Sequence, residues 1–126
     1  MIKIYLAIPY SGMEPSSYYQ ATRATGLIMR ESKGRYNVFS PITHSHPLKE
    51  YGLPTAWAFW QDVDYQFIDW ADEVWVLVPE EGICTIDESK GVQAEIKYAG
   101  QHNIPIRNYT YTDLERHFKL ESIQDG

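Results

Sequence analysis

The sequence predicts an α/β fold in which a doubly wound parallel sheet is covered by helices on both faces. Strand-like and helix-like segments alternate along the 126 residues, and this alternation is typical of parallel sheets. The runs at residues 2–8 and 73–78 are nearly continuous in apolar and β-branched residues, as expected for strands buried on both faces. The chain is long enough for one core, so we predict a single domain over residues 1–126.

The first half of the chain supplies two strands and one helix. The strand at residues 2–8 is broken by Pro9 and Gly12. Pro15 and two serines open a predicted helix that runs to about Arg30. Residues 36–40 form the second strand. Residues 41–54 contain three prolines, a glycine and two histidines, so we predict an ordered surface loop there.

The second half continues the alternation, with predicted helices over residues 55–71, 89–101 and 112–118 and predicted strands over residues 73–78 and 104–107. Thr55 is the expected N-cap of the first of these helices, and Ser89 is a small hydroxyl residue at the start of the second. The segment after about residue 120 is expected to be flexible. Because the chain has only a small number of strand–helix units, we predict a flavodoxin-like fold. Such folds bind ligands at the carboxyl ends of their strands.

Composition and charge exclude several classes of function. The net charge is −6 with a pI of about 5.1 and no basic cluster, which argues against binding polymeric nucleic acid. Cys84 is the only cysteine, so neither an intrachain disulfide nor a zinc-binding cysteine set is expected. The acidic Asp87 and Glu88 nearby would raise its pKa and disfavour a thiolate nucleophile. We see no signal peptide and no membrane-length apolar run, and expect a cytosolic protein.

Glu95 is the strongest candidate for a catalytic residue. The helix at residues 89–101 has a dry stripe of Val92, Ile96 and Ala99, and Glu95 lies beside it where a hydrophobe would be expected. A carboxylate there would lie close to a buried surface at the mouth of the sheet. The structural alternative is an ion pair with one of three cations: Arg23, Arg30 or Lys97.

The helix at residues 55–71 offers a second carboxylate without deciding which one. Asp64 lies between Trp60 and Ile68 on one apolar face, but the helix is apolar nearly all round. Asp62 or Asp69 could therefore be the inward acid, and a solvated acid is equally compatible with the periodicity. Two carboxylates facing one cleft would suit substitution at an anomeric carbon.

Two segments could hold an anion. The segment Ser89-Lys90-Gly91 stands at a predicted helix start, where unpaired N–H groups favour negative charge. The residues after the first strand, Pro9-Tyr10-Ser11-Gly12, make a second candidate loop. They match neither a Walker A loop nor a dinucleotide fingerprint.

His44 and His46 invite a metal interpretation. They are two residues apart on the predicted loop, without cysteines or an obvious third ligand. We therefore predict no metal and no cofactor, and expect both histidines to line a pocket or to hydrogen-bond the loop.

Taken together, these segments resemble the nucleoside 2-deoxyribosyltransferase superfamily. Within it the chain looks most like the short proteins grouped as DUF1937, a family name that records no activity. The resemblance covers nearly the whole chain: Ile4-Tyr5-Leu6-Ala7-Ile8-Pro9-Tyr10-Ser11, Phe39-Ser40-Pro41-Ile42, His44-Ser45-His46-Pro47 and residues 89–95.

The resemblance implies roles for three residues. Glu95 matches the glutamate that attacks C1′ of the sugar, and Tyr5 matches a first-strand tyrosine that orients it. Asp64, eight residues before Asp72, matches an aspartate that contacts the nucleoside and helps to protonate the leaving base.

A fourth position separates branches of the superfamily. Ser89 stands six residues before Glu95, where deoxyribosyltransferases carry aspartate and nucleoside 5′-monophosphate N-glycosidases carry a phosphate-binding serine. Two residues before the glutamate, Gln93 replaces the usual glycine.

The sequence therefore predicts a homo-oligomeric enzyme that cleaves the N-glycosidic bond of a nucleotide or nucleoside. Its catalytic residues would be Glu95, Asp64 and Tyr5, with burial raising the pKa of one carboxyl while the other stays ionised. The expected substrate-binding residues are Ser89, Gly91, Tyr10, Ser11, Pro9, His44, His46 and Trp60. Three alternatives stay open: a deoxyribosyltransferase, a non-catalytic nucleotide sensor and a histidine-metal hydrolase.

Overall fold

The protein is an α/β domain built on a four-stranded parallel sheet. A computed structural model describes residues 1–79 and 85–125, with side chains as far as residue 119. The strands are β1 (Ile2–Ala7), β2 (Tyr36–Phe39), β3 (Glu73–Leu77) and β4 (Ile106–Tyr109). Their order is β2-β1-β3-β4, and every adjacent pair is parallel. This order is consistent with the predicted flavodoxin-like fold, and it reverses between β1 and β3.

The described helices are α1 (Glu14–Glu31), α2 (Pro41–Ser45), α3 (Trp57–Trp70), α4 (Lys90–Gln101) and α5 (Tyr111–Asp125), with a 3₁₀ helix over His46–Tyr51. α1 and α5 pack together, as do α3 and α4. None of the described helices is both long and apolar enough to cross a bilayer.

The sheet buries a separate apolar cluster on each face. Alternate residues of β1 point to opposite sides, so Ile4 and Leu6 join the cluster that contains α1 and α5 residues. Tyr5 and Ala7 join the cluster formed with α3 and α4. Residue 5 therefore faces the helix pair that carries the candidate carboxylates.

The prediction of a surface loop over residues 41–54 is wrong, because α2 and the 3₁₀ helix occupy most of it. The Ser40 hydroxyl caps α2 by accepting the Thr43 N–H at 3.2 Å. Pro41 and Pro47 stand in the first turns of the two helices, where a missing N–H costs nothing. Gly52, with φ of +84°, ends the segment.

Three predicted boundaries also shift. Thr55 is not the N-cap of α3, which begins two residues later and has Ala56 at its N-cap position without a side-chain cap. β4 begins at Ile106 instead of residue 104 because the Ile104 N–H bonds the Ala99 carbonyl at 2.9 Å and closes the end of α4. α5 extends beyond the predicted helix at residues 112–118.

Candidate active site

A cavity of about 380 Å³ opens among α3, α4, the 3₁₀ helix and the segment after β1. Ten of the residues that line it are Tyr10, Ser11, His46, Lys49, Trp57, Trp60, Asp64, Ser89, Gly91 and Glu95. The volume falls in the range of small-molecule sites. The cavity lies where ligands bind in open parallel sheets.

α4 carries Glu95 into this cavity. The helix begins after Ser89, whose hydroxyl accepts the Val92 N–H at 3.3 Å. Val92 and Ala99 are fully buried, as the apolar stripe predicts, and Glu95 on the same side is only 5% exposed. A buried carboxyl group needs a hydrogen-bond partner, because its desolvation is otherwise uncompensated.

Tyr5 is that partner. Its side chain is fully buried on β1, and its hydroxyl donates a hydrogen bond to Oε2 of Glu95. The three cations considered as alternative partners lie elsewhere: Arg30 pairs with Glu31, Lys97 is exposed and the Arg23 guanidinium covers the ring of Tyr111 at 3.6 Å. The structural alternative of an ion pair is therefore wrong.

Asp64 is the inward acid of α3. It is 6% exposed and lines the cavity, whereas Asp62 and Asp69 are exposed. Asp69 instead accepts the Tyr98 hydroxyl at 2.7 Å. The packing of α3 against the sheet and α4 turns the Asp64 side of the helix inward. The sequence alone did not decide which acid would be buried, because α3 is apolar nearly all round.

Both carboxyl groups hold protons more tightly than ordinary carboxyls. Burial raises the pKa of Asp64 to about 7 and that of Glu95 to about 8, and the charge of Asp64 adds to the shift at Glu95. Interaction with the Tyr5 hydroxyl lowers both pKa values. The expectation that only one pKa would be raised is wrong, because both groups are withdrawn from water.

Ser89 and Gly91 both line the cavity, and each already has a contact within the protein. The Ser89 hydroxyl is occupied as the N-cap of α4. A Cβ added at Gly91 would lie 3.5 Å from the ring of Trp57. Trp57, which the sequence analysis did not single out, thus covers the first turn of α4.

Tyr10 and His46 join opposite parts of the cavity wall. The Tyr10 hydroxyl and His46 Nδ1 are 2.6 Å apart, and the ring of Tyr18 stacks on His46 with centroids 4.7 Å apart. Burial and the charge of Lys49 lower the pKa of His46. The two side chains connect the segment after β1 to the 3₁₀ helix.

The remaining predicted binding residues divide into two groups. Ser11 and Trp60 line the cavity, and Trp60 Nε1 donates to the Pro54 carbonyl at 2.7 Å. Pro9 is buried outside the lining, where its carbonyl accepts the Ser17 hydroxyl. His44 is exposed, also outside the lining, and contacts Phe39 and Ser45.

Two lysines, Lys49 and Lys90, also line the cavity. The sequence analysis named Lys90 within an anion-binding segment but missed Lys49, because lysine is common on any surface and no local pattern marks it. Gln93 is exposed and its amide donates to the Ile86 carbonyl at 2.9 Å. Cys84 lies outside the described residues. Among the described side chains, no group of three His, Cys, Asp or Glu residues could hold a metal ion.

The fold and the site together define a parallel α/β domain with a buried carboxyl pair in a cavity at the reversal of strand order. Within that class, the chain belongs to the family described as Domain of unknown function (DUF1937), whose model matches residues 2–111. This confirms the predicted family. No curated protein matches the chain.

Proposed function

We propose that this protein hydrolyses the bond between base and sugar in a (deoxy)nucleoside 5′-monophosphate or nucleoside. The proposal includes a distant relationship to the nucleoside 2-deoxyribosyltransferase superfamily, which rests on the sequence resemblance. One observation supports the reaction most directly: Glu95 and Asp64 enter one cavity from two helices, and the Tyr5 hydroxyl donates a hydrogen bond to Glu95.

The first chemical step forms a covalent intermediate. A carboxylate oxygen of Glu95 attacks C1′ and forms an ester, while the C1′–N bond breaks and its electron pair leaves with the base. The carboxyl group of Asp64 gives its proton to the departing base. In the second step, Asp64 takes a proton from water as the water oxygen attacks C1′, and Glu95 leaves as carboxylate. Two displacements give retention at C1′.

This mechanism requires that Glu95 and Asp64 together hold one proton. Since the two pKa values are about 7 and 8, a singly protonated pair is substantially populated between those values. In a coupled pair these values belong to the pair as a whole. The higher pKa of Glu95 makes the reactive form, in which Glu95 is ionised and Asp64 holds the proton, the minor singly protonated form. The Tyr5 hydroxyl, by donating to Glu95, increases the share of this form.

The rest of the cavity suits a flat base on a sugar. Trp57, Trp60 and Tyr10 contribute aromatic side chains to its lining. Aromatic rings stack on any nucleobase because each base has a π-face. Aromatic packing thus accounts for binding of a base without selecting which base it is.

The test is release of free base from a panel of nucleosides and nucleoside 5′-monophosphates, measured by chromatography. We expect Glu95→Gln to abolish release while circular dichroism stays unchanged. Glu88→Gln is the matched control, because it neutralises an exposed acid of the same cavity and should retain turnover. Unchanged release in Glu95→Gln would refute the mechanism.

The same panel separates the other candidates. A transferase would produce a new nucleoside faster when a second base is added. A sensor would bind with saturable heat and release no base, and a metal hydrolase would lose activity with a chelator.

Assembly and location are part of the proposal. We propose a cytosolic protein that forms a homodimer or higher homo-oligomer. Light scattering after gel filtration would contradict the oligomer if it gave the mass of one chain, 14.6 kDa.

A further inference from the structure

A stack of two tyrosines joins the helix of Asp64 to the helix of Glu95. The rings of Tyr65 on α3 and Tyr98 on α4 are nearly parallel, at an angle of 11°, with centroids 4.0 Å apart. Tyr65 directly follows Asp64. Tyr98 follows Glu95 by three residues, which is about 4.5 Å along the axis of α4. The stack therefore connects the two helices beside the carboxyl pair.

A hydrogen bond makes a second connection between the same helices. The Tyr98 hydroxyl donates to Oδ1 of Asp69 on α3 at 2.7 Å. This bond raises the pKa of Tyr98, so the hydroxyl stays protonated and remains a donor at neutral pH. Because Tyr98 contacts α3 through both its ring and its hydroxyl, it restricts both the separation of the two helices and their sliding along each other.

Tyr65 and Tyr98 act from outside the cavity, since neither is among the residues that line it. Burial and the charge of Glu95 raise the pKa of Tyr65, as expected for a side chain packed close behind that acid. Trp57, which does line the cavity, packs edge-on against Tyr65 with ring centroids 5.9 Å apart. The stack thus supports the cavity wall as well as the carboxyl pair.

The spacing of α3 and α4 controls how the two acids share a proton. Burial is the largest cause of the raised pKa at both Asp64 and Glu95, and the charge of Asp64 adds to the shift at Glu95. If the helices separate, water reaches both carboxyl groups and their mutual repulsion weakens. Both changes lower the pKa values of the pair. Loss of the Tyr5 bond would act in the opposite direction, but burial is the larger cause at both acids.

We infer that Tyr98 is a positioning residue, which holds α4 against α3 at the spacing that lets Asp64 and Glu95 share one proton. Its role in catalysis rests on the proposed function, whereas the positioning itself can be measured without substrate. Tyr98 acts through the two acids and does not contact the reacting atoms.

The experiment follows the titration of the Asp64 and Glu95 carboxyl groups by carboxyl-carbon NMR. Tyr98→Leu removes the stack and the hydrogen bond, and we expect it to lower both pKa values by about one pH unit as water enters. Tyr98→Phe removes only the hydrogen bond and should move the titration in the same direction by a smaller amount. If Tyr98→Leu does not fold, Tyr98→Phe decides, and an unmoved titration in that variant would overturn the inference.

A matched control separates positioning from a general loss of packing. Tyr36→Leu removes a half-buried tyrosine that packs on Trp75 and Phe118 in the cluster on the opposite face of the sheet. It should lower Tm without moving the carboxyl titration. An equal movement of the titration in Tyr36→Leu and Tyr98→Leu would show that Tyr98 has no specific role.

Kinetics add a second measurement where base is released. Tyr98→Leu should lower kcat about 100-fold, the scale for misplacing reacting groups by about 1 Å. KM should change little, because Tyr98 lies outside the cavity lining. The pH–rate profile should move to lower pH with the two pKa values, and Tyr98→Phe should retain most of the rate.

The outcomes distinguish this inference from the proposed reaction. A lower kcat in Tyr98→Leu with an unmoved titration would show that Tyr98 does not act through the carboxyl pair, and the inference would be wrong. If the wild type releases no base, the proposed reaction fails. A titration that moves in Tyr98→Leu and not in Tyr36→Leu would still support the positioning role in that case.

Discussion

The Tyr5 hydroxyl donates a hydrogen bond to the Glu95 carboxylate, although 90 residues separate the two in sequence. Tyr5 lies on the central strand β1, which pairs with β2 on one side and β3 on the other. The donor is therefore held by a strand that is hydrogen-bonded on both sides, while α4 supplies the acceptor. A fixed donor favours the ionised form of a carboxyl group whose burial favours the protonated form.

Removing this donor should impair catalysis more than folding. We expect Tyr5→Phe to reduce kcat about 100-fold, the scale for losing one preorganised hydrogen-bond donor. Because the Tyr5 bond lowers the pKa of Glu95, its loss raises that pKa, and the acidic limb of the pH–rate profile should move to higher pH. The measurement is kcat between pH 5 and 9. A reduced rate with an unmoved limb would show that Tyr5 does not act through Glu95.

The loss of rate on removing Asp64 should be larger for a base that is a poorer leaving group. We expect Asp64→Asn to slow release of an ordinary base by about 100-fold or more, within the range for general acid catalysis. An electron-poor base that departs without protonation should be released almost normally. Asp62→Asn, two residues away and exposed, is the control. An equal loss with both kinds of base would assign Asp64 to binding instead.

The buried acids should make stability fall as pH rises. Glu95 is protonated in the folded protein up to about pH 8, whereas in the unfolded chain it ionises near pH 4.3. Folding thus binds a proton between these values, and stability declines there before levelling off above the folded-state pKa. Below about pH 3, both states are close to fully protonated.

Glu95→Gln should remove this effect. We expect its Tm to exceed that of wild type by about 5 °C or more at pH 9 and to match it near about pH 3, below the unfolded-state pKa. Glu88→Gln, which changes an exposed acid, should follow the wild type across the range. A constant offset between Glu95→Gln and wild type would show that the ionisation of Glu95 is not the cause.

Ser89 has a structural role that can be separated from any role in binding. Ser89→Ala removes the N-cap bond to Val92 and should cost about 1 kcal/mol of unfolding free energy. Ser89→Asp keeps a capping oxygen and should preserve Tm, but its charge should repel an anion at the cavity. We therefore expect Ser89→Asp to raise KM for a monophosphate and not for the nucleoside. An equal effect on both substrates would exclude a phosphate near Ser89.

Local pattern was sufficient where one physical signal dominated. Continuous apolar runs that alternate with helix-like segments predicted the parallel sheet, because strands buried on both faces are apolar along their whole length. The stripe of α4 placed Glu95 on its buried side for the same reason. The prediction for residues 41–54 failed because proline is common in loops but is also accepted in the first turn of a helix. The hydrogen bond that caps α2 at Ser40, which only the structure shows, distinguishes the two cases.

The sequence by itself determined that this chain forms an alternating α/β domain and carries a glutamate beside the apolar stripe of its fourth helix, where a hydrophobic residue would be expected. Only the tertiary structure decided what surrounds that glutamate. Packing of α3 turned Asp64 inward and left Asp62 and Asp69 in water, strand order brought Tyr5 to Glu95, and the 3₁₀ helix brought Lys49 to the wall that holds Lys90. Periodicity shows which side of a helix or strand is buried, whereas the chemistry of a site depends on which helices and strands pack against one another.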